Sequence, residues 1–195
     1  YDIDSPTLSI VGLSAAHGTI VDNNNGTYTF IPDPNYSGTA TISFSISDGL
    51  LSTPSSATIN IAAVNDAPVV TQVYMSMNED TTLVINESSL LSHATDADGN
   101  ALSITNITAA QGTIVNNHNG TWSFTPAHDF SGALSLTFSV SDGTATTNQA
   151  LNIRVRDVND APVVPTVAMS MQEDGSLIIH KSDLLASAYD VDGDL

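Results

Sequence analysis

The sequence contains no cysteine. Disulfides commonly staple proteins that work outside the cell, so a secreted domain without them needs another source of stability, a bound metal among the candidates. Basic residues are nearly absent: Arg154, Arg156 and Lys181 stand against 21 acidic residues, a net charge of −18. So few Lys and Arg cannot neutralise phosphate, which argues against binding to nucleic acid or to an anionic membrane. No apolar run approaches the roughly 18 residues of a membrane span. Nor is there a basic-then-apolar start of the signal-peptide kind; an internal stretch of a secreted protein would carry neither. No Gly-x-Ser-x-Gly elbow or phosphate-cradling glycine loop occurs, and the chain is expected not to be an enzyme. The five histidines (His17, His93, His118, His128, His180) are scattered. Only His118 and His128 share one hairpin region, and 94 residues earlier their places are taken by Asn24 and Pro34. They are read as surface histidines rather than a zinc pair.

What the sequence has in abundance is repetition. Displaced by 94 residues, the chain aligns with itself without a gap. Ala15-Ala16-His17-Gly18-Thr19-Ile20-Val21 meets Ala109-Ala110-Gln111-Gly112-Thr113-Ile114-Val115. Asn65-Asp66-Ala67-Pro68-Val69-Val70 meets Asn159-Asp160-Ala161-Pro162-Val163-Val164, and Met75-Ser76-Met77 meets Met169-Ser170-Met171. Self-similarity at a fixed period is the signature of a repeat architecture. The Asn-Asp-Ala-Pro sites are the natural seams, since proline is stiff and lacks a ladder donor. Cutting there predicts a partial repeat over 1–66 that lacks its first strands, a complete repeat over 67–160, and the first strands of a further repeat over 161–195.

Alternating polar and apolar residues run through Thr41 to Ser47, Ser135 to Ser141 and Ala150 to Arg156, the period of strands with one buried face. Asn25-Gly26 and Asn119-Gly120 stand between strand-like runs and predict hairpins with type I′ turns, which need positive φ. Asp48-Gly49 and Asp142-Gly143 mark further turns, and Glu87 to His93 is compatible with one helical turn. About seven short strands per repeat predict an all-β fold of tandem immunoglobulin-like Greek-key β-sandwiches.

The acids recur with the repeat. One cluster is Asp157-Val158-Asn159-Asp160. A second is Asp96-Ala97-Asp98, echoed as Asp2-Ile3-Asp4 and Asp190-Val191-Asp192. A third is Glu79-Asp80, echoed as Glu173-Asp174. Clustered carboxylates around glycine turns would repel one another without a cation, and calcium takes six to eight such hard oxygen ligands. Solvated turns on an acidic surface are the plainer alternative. Three clusters repeating at one period in a chain nearly without lysine favour Ca2+.

The segment Asp157-Val158-Asn159-Asp160-Ala161-Pro162 resembles the inter-domain linker of cadherins. Asp190 and Asp192 follow Asp160 by 30 and 32 residues, and Asp96 and Asp98 follow Asp66 at the same intervals. The period, the Asn-Asp-Ala-Pro seam and the Ser-Asp-Gly turns resemble still more the bacterial cadherin-like tandem-95 repeats of giant repeats-in-toxin (RTX) adhesins, which leave the cell by type I secretion. The resemblance implies a cadherin-like sandwich whose linker acids, Asp-x-Asp pair and early acid jointly hold calcium. Carried over, one junction uses Asp157, Asn159, Asp160, Asp190 and Asp192, completed by Glu79 with Asp80 or by Glu173 with Asp174. The other uses Asn65, Asp66, Asp96 and Asp98, and is expected to be weaker because Ala63 stands where Asp157 stands. Asp2 and Asp4 would belong to the preceding junction. Asp48 and Asp142 are either ligands or caps of their turns.

The resemblance also implies a role: a secreted, calcium-rigidified stalk or adhesion module at the bacterial cell surface, active in cell–cell or cell–surface adhesion and biofilm formation. Its partners would be calcium, neighbouring repeats of the same protein, and a surface glycan or protein receptor. The competing reading is a glycan- or protein-binding lectin-like module, in which Trp122 or Tyr28 would stack on sugar; half-buried strand aromatics are the plainer reading of both. Because 1–66 lacks the strands whose sequence recurs at 163–185, head-to-tail self-association is expected as well.

Overall fold

A computed structural model describes residues 7–193. Two compact units are present, one formed by the residues up to Ala67 together with Asp96–Asn100, the other by Pro68–Thr95 and the chain from Ala101 onward.

The first unit is built from β1 (Ser9–Ala15), β2 (Gly18–Asp22), β3 (Tyr28–Pro32), β4 (Gly38–Ser47) and β5 (Ser52–Ile61). Antiparallel pairing gives a three-stranded sheet in the order β1-β4-β5 and a separate β2-β3 hairpin. The second unit contains β6 (Val69–Val70), β7 (Val73–Asn78), β8 (Leu83–Asn86), α1 (Glu87–Leu91), β9 (Ala94–Thr95), β10 (Ser103–Ala109), β11 (Thr113–Asn116), β12 (Thr121–Thr125), β13 (Gly132–Ser141), β14 (Thr146–Arg156) and α2 (Lys181–Leu185). Its sheets run β10-β13-β14-β7 and β11-β12-β8, with a two-stranded β6-β9 ribbon beside them. The chain is all-β, as the alternation predicted, and the single helical turn after Asn86 is α1.

The alternation of β13 and β14 decides what is buried. Leu136, Phe138 and Val140 on β13, and Leu151, Ile153 and Val155 on β14, point into one core while the intervening residues are wetter. Ile85, Trp122 and Phe124 enter from the other sheet, and Leu90 of α1 closes one end. β7 joins β14 in parallel, from Val73 beside Leu151 to Asn78 beside Arg156. Gly112 illustrates a close approach: a Cβ there would sit 2.5 Å from the Thr125 carbonyl oxygen.

Both expected hairpins form, but their turns are not two-residue type I′. Asn116 is the last residue of β11 to pair with β12, and the Asn117 amide donates to the Thr121 carbonyl at 3.0 Å. Positive φ falls on His118 (56°) and Gly120 (81°), and likewise on Asn24 (57°) and Gly26 (86°). The asparagine before each glycine serves through its side chain instead: Asn119 Oδ1 accepts from the Thr121 hydroxyl at 2.7 Å. An Asx contact of this kind stabilises a longer loop.

Candidate metal centres

At the second seam, the parallel β7–β14 ladder carries the chain to the acids. The Glu79 amide extends that ladder by donating to the Arg156 carbonyl at 2.9 Å. This buries the Glu79 side chain at 4% exposure, and its Oε1 accepts from the Val158 amide at 2.6 Å. The linker that leaves β14 is thereby fastened to the end of β7. Asp192 Oδ2 accepts from the Asp160 amide at 2.6 Å, and Asp190 Oδ1 accepts from the Asp192 amide at 3.0 Å. Asn159 Nδ2 donates to the Asp160 carbonyl at 2.8 Å. One carboxylate oxygen each from Glu79, Asp157 and Asp192 lies within 4.8 Å of the others.

This is a concentration of negative charge with little to answer it. Asp160 Oδ2 is buried and has no hydrogen-bond partner among the described residues. Burial, and then the carboxylates of Asp192, Asp129 and Asp80, hold the Asp160 carboxyl above the usual carboxylate range, with His128 opposing them. An orphaned buried oxygen among converging carboxylates matches the donor set of a hard divalent cation.

The first seam repeats the scaffold. Asp98 Oδ2 accepts from the Asp66 amide at 2.8 Å, and Asp96 Oδ1 accepts from the Asp98 amide at 3.0 Å. Asn65 Nδ2 donates to the Asp66 carbonyl at 3.1 Å, and Asn100 Nδ2 donates to Asn65 Oδ1 at 3.2 Å. Asp96 Oδ2 is also buried without a hydrogen-bond partner. Ala63 lines the same cleft, of about 280 Å³, as Asp66 and Asp98. The methyl group therefore stands where the other seam has a carboxylate.

The remaining sequence-derived acids are distributed unevenly. Glu173 and Asp174 are exposed, although Asp174 keeps the positive φ (58°) of its counterpart Asp80 (51°). Asp2 and Asp4 lie outside the described residues. Asp48 and Asp142 cap their turns: Asp48 Oδ1 accepts from the Leu50 and Leu51 amides at 2.8 and 2.7 Å, and Asp142 Oδ1 from those of Thr144 and Ala145 at 2.6 Å each.

Asp129 is a residue that the sequence pattern missed. In the loop between β12 and β13, its amide donates to Asp80 Oδ1 at 3.2 Å and its carboxylate contacts His128 Nδ1. Asp80, His128 and Asp129 form a second convergent group. No periodic signal marks it, because the places 94 residues earlier hold Pro34 and Asn35. Trp122 is not a stacking platform. It lies in the core at 7% exposure, and its indole N–H donates to Glu87 Oε1 at 2.9 Å. Tyr28, at the equivalent place, is 45% exposed.

The family sequence model for the cadherin-like domain matches residues 1–62, 64–156 and 158–195. No curated protein matches the chain. Among solved structures, human Protocadherin-24 EC1-2 is 19% identical, with 81% of this chain and 86% of that one covered and a TM-score of 0.45. The Protocadherin GammaB4 extracellular domain is 24% identical over 88% of this chain and 30% of that one, with a TM-score of 0.40. An endo-fucoidan hydrolase from glycoside hydrolase family 107 is 24% identical over 77% of this chain, with a TM-score of 0.34. The chain spans only 24% of that hydrolase's length. With nearly every residue matched by the family model in three successive segments, this chain belongs to the cadherin-like domain family.

Proposed function

We propose that the chain is a calcium-stiffened extracellular repeat of a bacterial surface adhesin of the RTX, type I-secreted kind, with its repeat borders at the two Asn-Asp-Ala-Pro seams. It would serve as stalk and adhesion module in attachment and biofilm formation, with no catalytic role. The observation that carries this reading is the second seam, where Glu79, Asp157 and Asp192 converge and Asp160 Oδ2 is buried without a partner. Few cations of the chain's own are available to such a site, since it has three basic residues in all.

When bound, calcium supplies a hard, doubly positive centre for six to eight oxygens. Asp157, Asn159 and Asp160 from the linker, Asp190 and Asp192 from the following Asp-x-Asp turn, and Glu79 from the end of β7 would hold it, with Asp80 alongside. Asn65, Asp66, Asp96 and Asp98 would form a poorer site. Ligands drawn from both sides of a seam fix the angle between successive repeats. Sites with Kd of about 10⁻⁴–10⁻³ M fill in extracellular calcium and stay empty in the cytosol, which leaves the chain pliable until it is exported.

Calcium is expected to raise the melting temperature and to lengthen the maximum dimension in small-angle scattering relative to chelator. Asp192→Asn should blunt both changes. If the native chain melts at the same temperature and keeps the same length in calcium and in chelator, the reading is wrong.

A further inference from the structure

The second unit gathers its few cations on one outer sheet face. Arg154 and Arg156, two of the chain's three basic residues, stand two apart on β14. Leu151, Ile153 and Val155 point into the core, so both arginines point outward and are exposed. On neighbouring β7 the outward residues are Tyr74 and Ser76, since Val73 and Met77 are buried. The parallel register sets Tyr74 beside Asn152 and Ser76 beside Arg154. The Arg156 guanidinium reaches back to donate to Ser76 Oγ at 3.4 Å, which brings it toward the row of Arg154. On its other side Arg154 faces Ala133 of β13, a side chain too small to cover it.

Neither arginine has an ion pair among the described residues, in a chain with 21 acids. Nor does the pair belong to the repeated scaffold: 94 residues earlier stand Asn60 and Ala62. Tyr74 is 70% exposed, and its hydroxyl donates to Gln72 Oε1 at 2.7 Å, which restrains the ring. Gln72, Tyr74, Ala133, Asn152 and Arg154 line a groove of about 440 Å³, a size at which small-molecule sites occur. An open aromatic ring accepts the apolar face of a sugar. Side-chain amides both donate to and accept from hydroxyls. A guanidinium holds a carboxylate, or an oxyanion of similar shape, through two parallel N–H groups. Two cations suit one or two isolated acid groups, not the continuous charge of a nucleic acid.

We propose that this face binds an acidic glycan, with Tyr74 under a sugar ring and Arg154, supported by Arg156, on its carboxylate or sulfate group. The inference rests on the reading of the chain as an adhesion module and names the chemistry of its partner. The groove is formed within one unit and is lined by none of the seam acids, so glycan binding and calcium stiffening can fail separately.

The test is calorimetric titration of the full chain with tetragalacturonate, a sulfated maltotetraose, neutral maltotetraose and a tetraglutamate peptide. It is run in calcium and in chelator at physiological ionic strength, where exposed charges are screened beyond about 8 Å. One of the acidic tetrasaccharides should bind in both media, more tightly than the neutral sugar and the peptide, and which one does so identifies the acid group. Arg154→Gln should weaken that binding about tenfold, the loss of a charge-assisted contact, and Tyr74→Ala about fivefold. Lys181→Gln removes the same charge from α2 and should change nothing. All three side chains are exposed, so melting should stay native. The calcium shift in melting temperature, read on the same samples, scores the stiffening independently. Any of five results would overturn the proposal: no binding of either acidic tetrasaccharide, equal binding of the neutral one, tighter binding of the peptide, an equal loss in Lys181→Gln, or binding that disappears in chelator and so belongs to bridging calcium.

Discussion

Phe30 and Phe124 occupy equivalent places in two copies of one sequence pattern, yet only Phe124 is fully buried. The same holds for Phe44 against Phe138 and for Ile42 against Leu136. What separates the two faces is not their own composition but the presence of β7, β8 and α1 over the second. The contrast teaches that ladder pairing, complete between β4 and β5 across ten register pairs, does not by itself bury a sheet's apolar face; that takes strands packed over it, as β7 and β8 are in the second unit.

Truncating the two aromatics should give the largest divergence. Phe124→Ala is expected to cost the second unit about 3–5 kcal/mol. Phe30→Ala should cost the first unit about half of that or less, because less of the ring is removed from water at the start. Hydrogen exchange resolved by peptide reads each unit separately, and the single Trp122 reports the second by fluorescence. Equal losses in both units would erase the contrast.

The two seams sharpen the comparison at an intermediate scale. Ala63→Asp gives the first seam the carboxylate that Asp157 gives the second. In chelator the variant should be less stable than the native chain, through added like-charge repulsion. In calcium at ten times Kd the added site should contribute about 1.4 kcal/mol. Calorimetric titration should show one further or one tighter binding event. A variant that loses stability in both media would show that the first seam lacks more than one carboxylate.

The smallest effect concerns protons. The folded-state pKa of Asp160 is raised, so the folded chain holds this proton more tightly than the unfolded one. Its contribution is therefore a penalty that appears as pH rises from the ordinary carboxylate value of 3.8 through the raised value, and that vanishes on acidification. In chelator, Asp160→Asn should be more stable than the native chain at neutral pH, with the gap closing toward pH 4. A gap that instead widens on acidification would reverse the assignment. Urea midpoints read through Trp122 decide it.

The strands were legible because alternation such as Ser135 to Ser141 survives any tertiary context that buries one face. The hairpins were legible from Asn-Gly, but their turns were not, because His118 rather than Asn119 takes the positive φ. The segment 167–179 carries the pattern of β7 and β8 and still forms no strand, since pattern specifies a face and not a partner. Among the acids, recurrence singled out Asp160, Asp192 and Glu79, and the structure brings them together. Asp129 and His128 escaped notice because convergence through a loop leaves no trace in spacing. Trp122 was read as half-buried, and its indole proved to be fastened inside by Glu87.

The parallel pairing of β7 with β14 has a consequence for tension. Tension applied ahead of Val73 and beyond Arg156 pulls these neighbouring parallel strands in opposite directions along their shared length. Ladder bonds in a parallel pair run between the strands, evenly spaced and slanted, so the six register pairs from Val73–Leu151 to Asn78–Arg156 are expected to share a shear load instead of peeling apart one at a time. The ladder's far end is the Glu79 amide on the Arg156 carbonyl, with the Glu79 carboxylate on the Val158 amide just beyond it. Load that shears the β7–β14 ladder is therefore expected to strain the Glu79 contact on the Val158 amide along with the sheet.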